Sequence, residues 1–444
     1  MSDPTMTNTK NFSGVLRMGA LALTISAAMA CTDFLTAENP GAVEETDVNA
    51  PEYANLIGAG PIFAFQFGHA EATYWNSQLT DELFNRAVFI EEGQIDRREL
   101  YSDMTYLNAF NYGPMQRARF IAEDAARRLG VILADTAARD LRVARALAYA
   151  GHSYITLGEM MCVTPIDLGV PKTAGEMFAD AITHFQTSLS VANAAKTHLS
   201  QNALANAIPL LTADSLRYFA LVGAARAALN RNDKTAAIAF AQQVPDAFDF
   251  RAYYHDNTTG QRNRTFERLQ LGSNAYLLNT PFFAMAGDPR IPRIPGTTGR
   301  AHTPLSPPSY STFNNTVAGA PFGPIMSVRI ASGLEARYII AEAQGPTPAT
   351  LTFVNERRAA GLQAPVTLTG DALMAELRDQ RSRDFYLDGH RLGDLRRYKE
   401  FYNVDLFPKG PYPGSTTGQI YNESITCWPL PTSEINGNPN IPKG

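Results

Sequence analysis

SLRYFALVGAARAALN (Ser215–Asn230) followed by DKTAAIAFAQQV (Asp233–Val244) is the stretch from which the fold can be read. Apolar and small residues recur through both segments at helical spacing. Only the polar turn Asn230-Arg231-Asn232-Asp233 separates them. Asp233 is placed to accept from the free N–H groups at the start of the second helix, and Pro245 stops that helix. This is an αα-hairpin. The second helix of a tetratricopeptide hairpin carries Ala, three residues, then Phe. That spacing occurs here as Ala236/Phe240, and again as Ala181/Phe185 and Ala349/Phe353, each time in the second helix of a pair. Phe185 and Phe240 are 55 residues apart, against a regular period of about 34. The repeats are therefore degenerate and interrupted by loops.

Outward from the hairpin the pattern continues. Gln116–Leu129 and Ala137–Leu157 are helical, the second with small residues Ala144, Ala148 and Gly151 that permit close packing. Gly158, Pro165 and Pro171 break the chain before a further helix at Ala174–Ala192. Residues 51–92 mix helix-like apolar stretches with the polar segment Gln78–Glu82. Residues 246–334 change character: Pro281, Pro289, Pro292, Pro295, Pro304, Pro307, Pro308, Pro321 and Pro324 exclude long helices there. A loop-rich insertion of this length is expected to be functional. Helices resume at Glu335–Ala343, Pro348–Ala360, Asp371–Leu387 and Arg391–Phe401; the tail 403–444 is irregular. The expectation is an all-α fold. Its tetratricopeptide-like helical-repeat scaffold comprises 51–245 and 335–402, carries long irregular loop insertions, and forms one domain over 51–444.

The N-terminus reads as an export signal. Lys10 and Arg17 precede an apolar stretch, Met18–Ala30, that is too short to span a bilayer. Ala28-Met29-Ala30-Cys31 then places small residues before a cysteine. A lipoprotein signal prefers Leu where Ala28 stands, so ordinary cleavage at the same A-x-A site is the rival. A cysteine directly after the cut has no use in ordinary secretion, which favours lipidation of Cys31. On this reading 1–30 is the signal peptide and 31–50 a lipidated tether, and membrane attachment rests on the lipid anchor alone. Cys162 and Cys427 are then the remaining cysteines, in a compartment where a disulfide persists. We expect them to be bonded and to staple the tail; two unrelated buried thiols is the alternative.

A hydrophobic content of 45% indicates a folded chain, and a net charge of −5 argues against a nucleic-acid partner. No H-E-x-x-H, C-x-x-C, G-x-S-x-G or phosphate-binding loop is present, and the seven histidines show no metal-ligand spacing. Neither enzyme, cofactor nor metal is expected. Asp81-Glu82 is the one adjacent carboxylate pair considered for catalysis. Neighbouring helical residues point about 100° apart, so a solvated helix face is the better reading.

The most unusual local sequence is LRDQRSRDFYLDGHRLGDLRR (Leu377–Arg397). Arg381, Asp384 and Asp388 fall at helical i, i+3 and i+4 spacings, Gly389 suits a left-handed cap, and Arg391, Asp394 and Arg397 follow on a second helix. The charges balance locally. The expectation is a structural ion-pair network of Arg381, Asp384, Asp388, Arg391, Asp394 and Arg397, with an anion site as the alternative.

This run resembles the ER-x-x-EF-x-x-EG-x-R-x-x-DL-x-R signature of the SusD/RagB family, with Gln380 for the first Glu and Asp384 and Asp388 for the later two. The resemblance extends to Arg337–Ala343 with Asn355-Glu356-Arg357-Arg358, to Trp428–Pro439, to Ala144–Tyr149 and to the start at Cys31–Leu35. It implies a tetratricopeptide-like lipoprotein on the outer face of an outer membrane. Such a protein captures a glycan or other nutrient oligomer for a SusC-like TonB-dependent transporter. The alternatives are a helical-repeat scaffold that binds a protein partner without a nutrient ligand, and a secreted hydrolase. Sugar capture favours aromatic platforms beside planar amides. The candidates are Tyr74, Trp75 and Asn76; Tyr106, Asn108 and Tyr112; and Tyr276 in the long insertion.

Overall fold

The computed structural model describes residues 49–85, 89–270, 275–276, 281–285, 287–291, 325–412 and 418–443. These belong almost wholly to the compact unit Pro51–Gly444; Cys31 and the rest of the signal and tether lie outside the described residues. Helices dominate. They are α1 (Ala54–Leu79), α2 (Ile90–Asp96), α3 (Gly113–Leu133), α4 (Leu141–Met160), α5 (Ala174–Leu199), α6 (Ala207–Asn230), α7 (Lys234–Ala241), α8 (Arg264–Gln270) and α9 (Pro281–Ala284). Beyond the insertion come α10 (Gly333–Gln344), α11 (Pro348–Ala360), α12 (Gly370–Asp384), α13 (Arg391–Tyr402) and α14 (Thr432–Gly437).

The reasons these helices begin and end are local. The Asp233 side chain accepts from Ala236 N, as its position before α7 requires, and Asp140 does the same for Arg142 N at the start of α4. Thr173 and Glu176 form a reciprocal capping box on α5. Within residues 51–92, where the sequence shows only helix-like stretches, Ala54–Leu79 form one continuous helix despite Pro61. The proline removes a single backbone donor.

Helices α1, α3, α4, α5, α6 and α7 each pack against the next in this order. At their centre Phe185 fills the space between α4 and α6. A Cβ at Gly151 would come within 2.6 Å of its ring, and one at Gly223 within 2.2 Å, so only glycine fits at either contact. The Ala–Phe spacing is thus explained for the first pair, where Ala181 and Phe185 are both fully buried. It weakens outward: Ala236 and Phe240 are half-buried, and Ala349 is exposed above a buried Phe353.

The insertion is less irregular than its composition suggests. β2 (Asp249–Ala252) pairs antiparallel with β4 (Val328–Ser332) across a bulge at Phe250/Arg251, and β1 (Phe84–Asn85) pairs with β3 (Ala275–Tyr276). Strands of two to five residues carry too few positions for a period-2 pattern to be visible. The tail is tied down in several places. Cys162 and Cys427 form a disulfide with Cα atoms 5.1 Å apart. Beside it, Trp428 N–H donates to Met160 O and Cys162 N–H to Trp428 O. The buried Arg98 donates to the carbonyls of Ile425 and Pro408.

Candidate functional site

The charged run of α12 and α13 lies in the interior. Arg381 Nε donates to Asp394 Oδ2 at 2.7 Å. Arg397 grips Glu342 through two bonds of 2.8 and 2.9 Å and also reaches Asp394. Arg391 makes a bidentate pair with Asp81 at 2.7 and 2.6 Å. Asp384 accepts from Arg357 twice and from the Tyr338 hydroxyl. The partners are therefore distant in sequence rather than local. Asp384 does not pair with Arg381, and Asp388 lies beyond the end of α12, where it meets His390 Nδ1 at 2.6 Å. The helix stops at Asp384 instead of continuing to Leu387, and Leu387 as well as Gly389 takes a positive φ.

This network also absorbs Asp81 and Glu82, which corrects the solvated-face reading: they are 8% and 2% exposed. Glu82 Oε1 accepts from Leu387 N–H and Oε2 from the Ser77 hydroxyl. Burial, only partly offset by the Leu387 bond and Arg391, pushes its carboxyl up to about 8. His390 goes the other way from an ordinary buried imidazole. Burial and Arg226 lower it, but Asp388 and Glu335 outweigh them and raise it to about 9. Its Nε2 lies 3.1 Å from Glu335 Oε1, a charge contact without hydrogen-bond alignment. Arg381, Arg391, Arg397 and Asp384 all have their counter-charges inside the fold, so these groups hold helices together. Among the described residues no group of three or more His, Cys, Asp or Glu could hold a metal ion.

The open face lies elsewhere. A π-helical turn, Leu107–Tyr112, leads into α3. Its backbone is so tight that a Cβ at Gly113 would lie 2.4 Å from Asn108 O. Such turns often mark functional positions. Beside it, between α1 and α3, runs a groove of about 700 Å³ lined by Phe63, Phe67, Asn108, Ala109, Arg117 and Ile121. Phe63, Asn108 and Arg117 are exposed. Just before the turn, Tyr106 stacks on Trp75 with ring centres 4.8 Å apart and planes 23° apart; Phe110 lies parallel to Trp75 at 6.4 Å. Arg268 lies over Phe110 at 4.2 Å, held by Glu71. Glu91 accepts from the Thr105 and Tyr106 amides and so fixes the approach to the turn.

The sequence candidates divide accordingly. Tyr106 is half-buried and Asn108 exposed, and both belong to this open region. Trp75 is fully buried beneath Tyr106, with its indole N–H spent on Glu71, so it supports a platform without being one. Tyr74 is also fully buried. Asn76 accepts from the Trp428 indole at 2.9 Å. Tyr112 donates to Glu434 and accepts from Gln116, tying the tail to α3. These four are corrected to core and scaffold roles. Tyr276 pairs with Phe84 through the backbone, and its side chain lies outside the description. Phe63, Phe67 and Arg117 were not anticipated. Phe63 and Phe67 stand at i, i+4 in α1, but that the face they share is open, with Phe63 57% exposed, is shown only by the structure.

Comparison with known proteins locates this architecture. The SusD family model matches residues 341–443. No curated protein matches the sequence. Among solved structures, a SusD superfamily protein from Bacteroides vulgatus is 13% identical, with 88% of this chain and 98% of that one covered at a TM-score of 0.63. One from Bacteroides fragilis is 14% identical, with 89% and 99% covered at 0.62. A structure described as a laminarin-binding SusD-like protein is 12% identical, with 87% and 98% covered at 0.60. At these identities the likeness is one of fold.

Proposed function

We propose that this chain, whose residues 341–443 match the SusD family model and whose fold is that of SusD superfamily structures, captures a glycan or oligosaccharide at the cell surface. It passes that nutrient to a SusC-like TonB-dependent transporter. It is a binding protein rather than a catalyst, and Cys31 holds it by lipid to the outer face of the outer membrane. The observation that carries the reading is the Tyr106–Trp75 stack beside the open groove. A flat aromatic face takes the apolar face of a sugar ring, and the Asn108 amide and Arg117 guanidinium offer hydroxyl partners at its edge. The fully buried indole holds the tyrosine ring in place, so little side-chain freedom is lost on binding. The laminarin-binding neighbour supports a neutral polysaccharide as the first ligand class to try.

The test is calorimetric titration of the full-length protein in detergent with laminarin fragments and a panel of other neutral oligosaccharides. At least one should bind, and Tyr106→Ala should weaken it by roughly tenfold, the effect of losing about 1.4 kcal/mol. Silence across the panel, or affinity untouched by Tyr106→Ala, would remove the groove as the site.

A further inference from the structure

A second cavity, of about 300 Å³, is bounded by α9, α12 and the chain just after α13. Phe282, Met285, Val404 and Leu406 give it an apolar wall. Its charged lining is nearly all spoken for. Arg391 is neutralised by the bidentate Asp81, and Asp379 accepts from Arg383 at 2.8 Å. The Ser382 hydroxyl donates to the Asp379 carbonyl on its own helix.

Arg378 is different. It is 9% exposed, and its Nε is shut off from solvent without an acceptor. Among the described residues it has no carboxylate, carbonyl or amide partner. Its guanidinium rests 5.2 Å from the ring centres of Tyr398 and Tyr402, contacts that stabilise a cation without supplying a counter-charge. Nearby buried arginines all have carboxylates: Arg381 has Asp394, Arg391 has Asp81, Arg397 has Glu342 and Arg226 has Glu159. A buried guanidinium without an anion is costly, and a ligand that supplies one recovers that cost on binding.

We infer that this cavity binds a small organic carboxylate with an apolar body. The carboxylate meets the Arg378 fork, whose planar donors match its two oxygens. The body lies against Phe282, Met285, Val404 and Leu406. A uronic acid fits poorly. Its hydroxyls would enter a space whose polar groups are already bonded to one another, and would be left unpaired. The site shares no lining residue with the groove between α1 and α3 and does not depend on how that groove is used.

The test is titration of the full-length protein in detergent with benzoate, glucuronate and sulfate at one low ionic strength. Benzoate should bind at least roughly tenfold more tightly than the other two. Arg378→Met should remove that binding. Since this change sits in the interior, Ala375→Trp serves beside it: Ala375 is an exposed lining residue, and the larger ring takes up cavity space while Arg378 is kept. Loss of benzoate binding in both variants, with the helical circular dichroism unchanged, supports the site. No benzoate binding, equal affinity for all three anions, or binding that survives either variant would overturn it.

Discussion

The junction of α12 and α13 and the groove between α1 and α3 use the same materials to opposite ends. Both place arginines over aromatic rings: Arg381 over Phe385 at 4.7 Å in the first, Arg268 over Phe110 at 4.2 Å in the second. In the first, Arg381 and Arg397 end on carboxylates of other helices, Asp394 and Glu342, and all four are buried. In the second, the stack is anchored from below by Glu71 and left half-covered above, with Asn108 and Arg117 exposed at the rim. The chemistry of a residue type therefore says little about its role. What separates scaffold from surface is whether each donor already has its acceptor inside the fold.

The largest effect expected from breaking this contrast is on the scaffold side. Asp384→Ala strips the partner from Arg357 and Tyr338 at a site with 3% side-chain exposure. It should cost about 3–5 kcal/mol in denaturant unfolding, with glycan affinity of the folded fraction unchanged. A well-folded variant that has lost only binding would erase the distinction. Gly223→Ala should cost about 1–3 kcal/mol by overpacking, because the new methyl would meet Phe185. The double change Gly223→Ala with Phe185→Leu should recover part of that, and a neutral single variant would deny the close approach.

Solution pH sharpens the comparison further, since the buried groups titrate together. His390, raised to about 9, holds a proton in the folded chain that the unfolded chain releases above about 6.5. Its contribution is complete below that pH and is lost as pH climbs through 9. Glu82, raised to about 8, acts in the same direction from its ordinary range upward. His69 and His152 oppose them. Burial lowers both to about 3, so stability is lost as pH falls below about 6.5. The denaturant midpoint should peak near pH 6 and fall toward pH 9, and a midpoint still rising at pH 9 would contradict the assignment. The smallest effect belongs to the groove. Asn108→Ala should change stability by no more than about 0.5 kcal/mol, because its side chain is exposed. A much larger loss would make Asn108 part of the scaffold.

The helical architecture was legible because its signals are local. Pro348–Ala360 is an α-helix to the residue, Arg391 opens its helix, and Asp233 caps α7 as its position implied. The misread positions have partners remote in sequence. Asp81 looked solvated because Arg391, which buries it, is 310 residues away. Trp75 and Asn76 looked like a binding pair because neither the ring that covers Trp75 nor Trp428, which bonds Asn76, is near them in the chain. Of the candidate groove, Tyr106 and Asn108 were visible as an aromatic beside an amide. Phe63 and Phe67 were hidden because nothing in residues 51–79 shows which face of α1 is left uncovered.

The Cys162–Cys427 bond has a consequence for damage rather than for folding. It closes a covalent ring that contains the whole insertion, the groups lining the second cavity other than Asp81, and both charged helices. A protease that cuts once anywhere between the two cysteines leaves a single molecule, since both fragments remain joined through sulfur. On a non-reducing gel such a cut protein would keep the mass of the intact chain, and two bands would separate only after reductant is added. The chain can thus be nicked once between the two cysteines without shedding the part that carries α12 and α13.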